Sequence, residues 1–80
     1  FGKLSFYNEN LFEISRKLER KFGKEIRISD ETVGNMNYTA DFEDESLEQI
    51  LKFLDEGAAV TFKKIGNGYV LSKKSSVIHQ

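Results

Sequence analysis

The chain has 80 residues, enough for one domain, with 12 lysines and arginines against 13 aspartates and glutamates and a net charge of −1. That balance argues against a general nucleic-acid binder or a polybasic membrane-surface module, both of which need a basic surplus to neutralise phosphates. Hydrophobic residues at 39% and charged residues at 31% specify a folded domain rather than a disordered one, and the absence of cysteine excludes disulfides and thiolate zinc sites while leaving cytosol and periplasm equally open.

Residues Lys3 to Tyr7 alternate, Leu4 and Phe6 on one face, as a short half-buried strand does. Asn8-Glu9-Asn10 opens a helix, with Asn10 and Glu13 at capping-box spacing and Asn8 as the other possible cap. Leu11, Ile14, Leu18 and Phe22 recur at helical spacing and Gly23 supplies the stop. Glu25–Ser29 reads as a second strand, and Asp30 to Asn35 as a polar loop. A third strand is expected from Met36 to Glu43, with Tyr38, Ala40 and Phe42 on one face. Asp44 or Ser46 caps a second helix with apolar positions Leu47, Ile50, Leu51 and Leu54, ending at Gly57. Val60 and Phe62 mark a fourth strand, Tyr69 and Leu71 a fifth, and Gly66-Asn67-Gly68 between them is a hairpin signal. Ser75–Gln80 reads as a tail, leaving residues 1–74 as a single domain.

The expected fold is α+β, two βαβ units plus a C-terminal hairpin strand in the order βαββαββ. The chain carries an internal repeat. Shifting it by 36 residues lays Phe6 on Phe42, Asn8 on Asp44, Asn10 on Ser46, Leu11 on Leu47, Ile14 on Ile50 and Leu18 on Leu54. A pseudo-twofold arrangement of the two units makes their first strands neighbours, and neither helix can bury its apolar stripe alone. No run of 18 apolar residues and no signal-peptide pattern is present. Because the chain begins at Phe1, it is expected to be a piece of a longer protein, with any export signal or anchor lying upstream.

Catalytic chemistry finds little support. The single histidine, His79, falls in the expected tail, without an orienting group or nucleophile in reach. Clustered zinc ligands and a spaced calcium loop are both missing from the sequence. The acidic run Asp41, Glu43, Asp44, Glu45 and Glu48 reads first as a solvated strand end entering a helix N-terminus, and second as a patch for a basic partner. Arg16, Lys17, Arg20, Lys21 and Lys24 are the basic counterpart, with Glu13 and Lys17 spaced as an i,i+4 pair. Asn37-Tyr38-Thr39 fits a glycosylation sequon, discounted because it lies in an expected strand. The element order also invites an RNA-recognition fold, but the third strand lacks the basic and glycine positions of that motif and is flanked by acids. The expectation is a protein that is not an enzyme, with no cofactor, no nucleic acid and no direct membrane contact by this segment.

The opening Leu4-Ser5-Phe6-Tyr7-Asn8-Glu9-Asn10-Leu11 fits the pattern apolar-x-Phe-x-Asn-x-x-Leu. With Leu18-Glu19-Arg20-Lys21-Phe22-Gly23-Lys24-Glu25-Ile26, the segment Tyr38 to Leu51 and the final Gly68-Tyr69-Val70-Leu71, it resembles the C-terminal domain of FecR-type anti-sigma regulators, especially the Bacteroidetes type. Those domains are similar to the secretin and TonB short N-terminal domain. The resemblance runs from about Lys3 to Lys73; Asn10 departs from a proline common in the family. It implies two helices between a two-stranded and a three-stranded sheet, strands one and three pairing and strand two joining the last hairpin. It also implies a periplasmic domain of an inner-membrane protein. Such a domain receives a signal from the N-terminal signalling domain of a TonB-dependent outer-membrane transporter, and the full-length protein holds a sigma factor elsewhere. The alternative is the same module at the N-terminus of a secretin or transporter, acting in assembly or signalling. Partner binding is expected at sheet edges, through Met36, Tyr38, Thr39 and Phe42 or through Tyr69, Val70 and Leu71, because unpaired strand edges accept an added strand.

Overall fold

The computed structural model describes residues 3–57 and 59–74. The expected tail, residues 75–80 with His79, lies outside the described residues. Five strands and three helices follow in the order β1 (Lys3–Asn10), α1 (Leu11–Phe22), β2 (Ile26–Ile28), α2 (Glu31–Gly34), β3 (Asn37–Glu43), α3 (Leu47–Glu56), β4 (Val60–Ile65) and β5 (Gly68–Lys73). The α+β architecture expected from the sequence is present, with one addition. The stretch read as a polar loop contains the single turn α2, nucleated by Asp30, whose side chain accepts the Val33 N–H at 3.0 Å.

Both long helices begin where their capping residues dictate. Asn10, not Asn8, caps α1 and accepts the Glu13 N–H at 2.9 Å. Ser46, not Asp44, caps α3 in a reciprocal box: its hydroxyl accepts the Gln49 N–H at 3.1 Å, and the Gln49 side chain accepts the Ser46 N–H at 2.8 Å. Asn8 and Asp44 have a different task. They hold positive φ, 48° and 65°, and lie one repeat length apart, where each chain turns from strand towards helix. Asn and Asp are the non-glycine residues that tolerate this region best. At the other end of α1, Gly23 takes φ 69° and its N–H closes on the Glu19 carbonyl at 2.8 Å.

β1 and β3 form an antiparallel two-stranded sheet, and β2, β5 and β4 form a three-stranded sheet in that order, with the helices between. The repeat is visible in the register. Leu4 pairs with Phe42 and Phe6 with Ala40, so one repeat shift carries each pair onto the other, and the local twofold passes through the Ser5–Asp41 pair. In the other sheet the equivalent strands β2 and β4 do not meet. β5 lies between them, and Arg27 and Lys63, again one repeat apart, both stand opposite Val70. The last strand thus fills the space on the axis between the two units.

The repeated apolar positions build a single core. Leu11, Ile14 and Leu18 of α1, and Ile50, Leu51 and Leu54 of α3, are buried together with Phe6, Val60 and Leu71. Phe42 meets Phe6 and Phe53 edge-on at ring separations of 6.1 and 5.3 Å, a geometry that contributes beyond area burial. Within the described residues no helix is long and apolar enough to cross a membrane.

Candidate functional site

Among the described residues β3 has β1 on one side and no strand on the other, so its backbone N–H and C=O groups on that side have no strand partner, while the Glu43 N–H at its end donates to the Glu45 carboxylate. Its side chains divide by alternation. Tyr38, Ala40 and Phe42 face the core, Phe42 being buried, while Asn37, Thr39, Asp41 and Glu43 are exposed. Burial raises the Tyr38 hydroxyl above its usual range, with Lys74 opposing that effect. Thr39 stands opposite a β-bulge at Tyr7–Asn8, and its hydroxyl accepts the Asn8 N–H at 2.9 Å. The bulge also projects Tyr7 into solvent.

The expected edge residues are only partly brought together. Met36 precedes β3, and its backbone is already used: its N–H donates to the Val33 carbonyl and its carbonyl accepts the Leu11 N–H. Tyr69, Val70 and Leu71 are not at an edge. β5 is the central strand, paired in parallel with β2 through Ile26–Tyr69, Arg27–Val70 and Ile28–Leu71, and antiparallel with β4 on its other side. Strand addition there would require displacing a native partner. Leu71 is fully buried, and the Tyr69 hydroxyl donates to Glu48 at 2.8 Å. That bond, then burial, holds the phenol above its usual range.

The residues an incoming strand would touch beside β3 are therefore the exposed Asn37, Thr39, Asp41 and Glu43, with Phe53 of α3 at 43% exposure at the rim. Alternation along the strand could have singled out the first four, because the residues opposite in phase to Tyr38, Ala40 and Phe42 must face outward. Phe53 gave no such signal, since its exposure depends on where α3 lies against β3.

Ion pairing also differs from the helical spacing. Lys17 turns from Glu13 to Glu9 of β1 at 2.6 Å, while Glu13 pairs with Arg16 at 3.3 Å. The bulge is the cause, because it sets Glu9 opposite Tyr38, beside α1. Shallow depressions mark the surface of the described residues. One, of about 420 Å³, lies on the three-stranded sheet between Glu25, Arg27, Ile65 and Val70. Another, of about 350 Å³, runs between β1 and α1, lined by Leu4, Ser5, Lys17, Arg20 and Lys21. Among the described residues no group of three or more His, Cys, Asp or Glu side chains is placed to hold a metal ion.

A two-stranded and a three-stranded sheet enclosing two repeat-related helices is a specific arrangement, and the family comparison agrees with it. The family model described as FecR, C-terminal, matches residues 3–71. The chain belongs to that family. Two crystal structures of a candidate anti-sigma factor from Parabacteroides distasonis ATCC 8503, at 1.65 and 2.50 Å, share the fold of this FecR C-terminal domain with TM-scores of 0.84 and 0.83. Each is 24% identical in sequence, and the match covers 92% of this chain but 35% of the other. The FecR C-terminal domain thus spans about a third of the protein it matches. No curated protein matches the chain in sequence.

Proposed function

We propose that this domain is the periplasmic receiving module of a FecR-type transmembrane anti-sigma regulator. It takes a signal from the N-terminal signalling domain of a TonB-dependent outer-membrane transporter, and the full-length protein passes that signal to an extracytoplasmic-function sigma factor through other segments. The module binds protein and performs no catalysis. Family membership over residues 3–71 supports a FecR-type regulator over a secretin or transporter terminus. The observation that carries the binding step is the free edge of β3. Main-chain hydrogen bonds to an added strand supply affinity, and side chains at alternate positions supply choice. Asp41 and Glu43 beside that edge favour a partner strand carrying cations, which speeds and orients encounter more than it tightens the complex.

The test is a titration of the isotopically labelled domain with the signalling domain of the transporter encoded beside it, followed by amide chemical shifts. The expected result is saturable shifts concentrated in Asn37–Glu43 and around Phe53. No shift at high micromolar partner would overturn the transporter assignment. Saturable shifts on the three-stranded sheet instead would keep the partner and overturn the β3 site.

A further inference from the structure

The internal repeat sets each first strand beside its own helix and gives the two strand–helix junctions opposite chemistry. α1 borders β1, where Leu4 and Ser5 face Lys17, Arg20 and Lys21 across a depression, and α3 meets β3 through Phe53 and Phe42; among the described residues each strand has another strand on one side only. At positions the core requires, the two units agree: Leu11 and Leu47, Ile14 and Ile50, Leu18 and Leu54 are all buried. At the rim they diverge. Lys17, Arg20 and Lys21 line the groove beside β1, and one repeat later the chain has Phe53, Glu56 and Gly57. From these features we infer that the β1 groove is a second docking site, which takes an extended acidic segment of another protein as an added strand.

Three observations support that occupant. First, the groove is already formed, about 350 Å³ with Leu4 and Ser5 on the strand side and the three cations on the helix side. Second, two of its three cations have no carboxylate partner among the described residues, although Lys21 lies over the Phe22 ring at 5.7 Å. Lys17 is held by Glu9 at 2.6 Å, but among the described residues neither Arg20 nor Lys21 has a carboxylate within ion-pair distance. Third, the repeat does not require them. Cations in a last helical turn complement the helix dipole, yet α3 ends with no basic residue in its last turn. Edge cations can also serve only to repel unwanted strands, and that role predicts no affinity for an acidic strand.

The spacing fits as well. Lys17 and Lys21 are four residues apart on α1, a rise of about 6 Å. Alternate residues of an extended segment recur every ~6.7 Å. Carboxylates at positions i and i+2 of an added strand therefore match the two lysines, with Arg20 between them. This site does not depend on the transporter assignment, because it lies on the other strand of the sheet.

The probe is a capped heptapeptide, TDVEVDT, titrated into the labelled 80-residue chain, with TKVKVKT as its charge-reversed control. The acidic peptide is expected to shift amides of Leu4–Phe6 and Lys17–Lys21. Its affinity should fall by about tenfold or more in the double variant Arg20→Glu, Lys21→Glu, and by less in Arg20→Gln, Lys21→Gln. Raising salt from about 50 to 300 mM should weaken it, because these charges are exposed. Retained amide dispersion in both variants establishes that they fold, and should the reversal variant lose it, the neutral variant alone decides. Equal binding of both peptides, indifference to either variant, or no shift at about 5 mM acidic peptide would overturn the inference. Peptide-free shifts at β1 and β3 that grow with protein concentration would identify a second copy of this chain as the occupant and overturn it equally.

Discussion

Single atoms decide several features of this domain, and Gly68 is the clearest. A side chain built there would place its Cβ 2.4 Å from the Glu25 carbonyl oxygen. That carbonyl accepts the Tyr69 N–H at 2.8 Å, the bond that starts the β2–β5 pairing. Neither backbone can withdraw without losing register, so Gly68→Ala is expected to cost about 1–3 kcal/mol, the range for forced overpacking. Gly34 makes a useful control. A Cβ there meets the Phe12 ring at 2.2 Å, but Phe12 is a half-buried side chain that can rotate outward, so Gly34→Ala should cost less. Urea unfolding of the two variants measures the difference, and equal costs would show that the β2–β5 contact is not rigid. The turn beside Gly68 carries another local requirement. Gly66 takes φ 58°, while Asn67 does not adopt positive φ, the pattern of a type II′ turn with glycine first.

Among the elements, those with a strong period were legible in advance. The two long helices follow from apolar spacing, the β1–β3 pair from the internal repeat and the hairpin from Gly66-Asn67-Gly68, whereas the caps were narrowed only to Asn8 or Asn10 and to Asp44 or Ser46. The short helix α2 was not, because four residues are too few for a period to register. The position of β5 was half legible: the hairpin places it beside β4, and family likeness joins strand two to that hairpin. Which strand of the three is central depends on packing across the twofold, and local pattern carries no trace of that. As a result Tyr69, Val70 and Leu71 read as an edge when they form the middle. The join between α3 and Lys74, just after β5, adds a testable electrostatic link. Lys74 lies 2.8 Å from the Asp55 carboxylate and also donates to the Asp55 carbonyl, and Thr61 donates to the same carboxylate at 3.3 Å. The Lys74 bond is the main reason the Asp55 carboxyl titrates below its usual 3.8. A carboxyl depressed in the folded state stabilises it above the unfolded value, and that contribution fades as pH falls from 3.8 through the lower folded value. Asp55→Asn should therefore lower Tm near neutral pH, and the gap to the parent should narrow below pH 3.8. A gap independent of pH would assign the cost to packing.

For the whole molecule, the two sheets have unequal roles that follow from the placement of one strand. β5 is hydrogen-bonded on both sides and locks the two repeat units together, whereas among the described residues β1 and β3 share a single seam and neither has a strand on its outer side. The strand that ties the two units together thus lies in one sheet and the proposed recognition edges in the other. Amide hydrogen exchange reports this division directly, since local opening is easiest where backbone groups are unpaired. In β5 successive N–H groups point alternately to β2 and to β4, so Tyr69, Val70 and Leu71 should all exchange slowly. In β3 successive N–H groups point alternately to β1 and to the open side, so protection should alternate along Asn37–Phe42, before the Glu43 N–H that donates to Glu45. Uniform protection along β3 would mean that its edge is covered, and fast exchange at Val70 would mean that β5 is not the lock. A partner strand added to β3 should slow the fast amides of that strand, and one added to β1 should slow those of β1. The unprotected half of each edge strand is therefore both the signature of the free domain and the readout of which groove is filled.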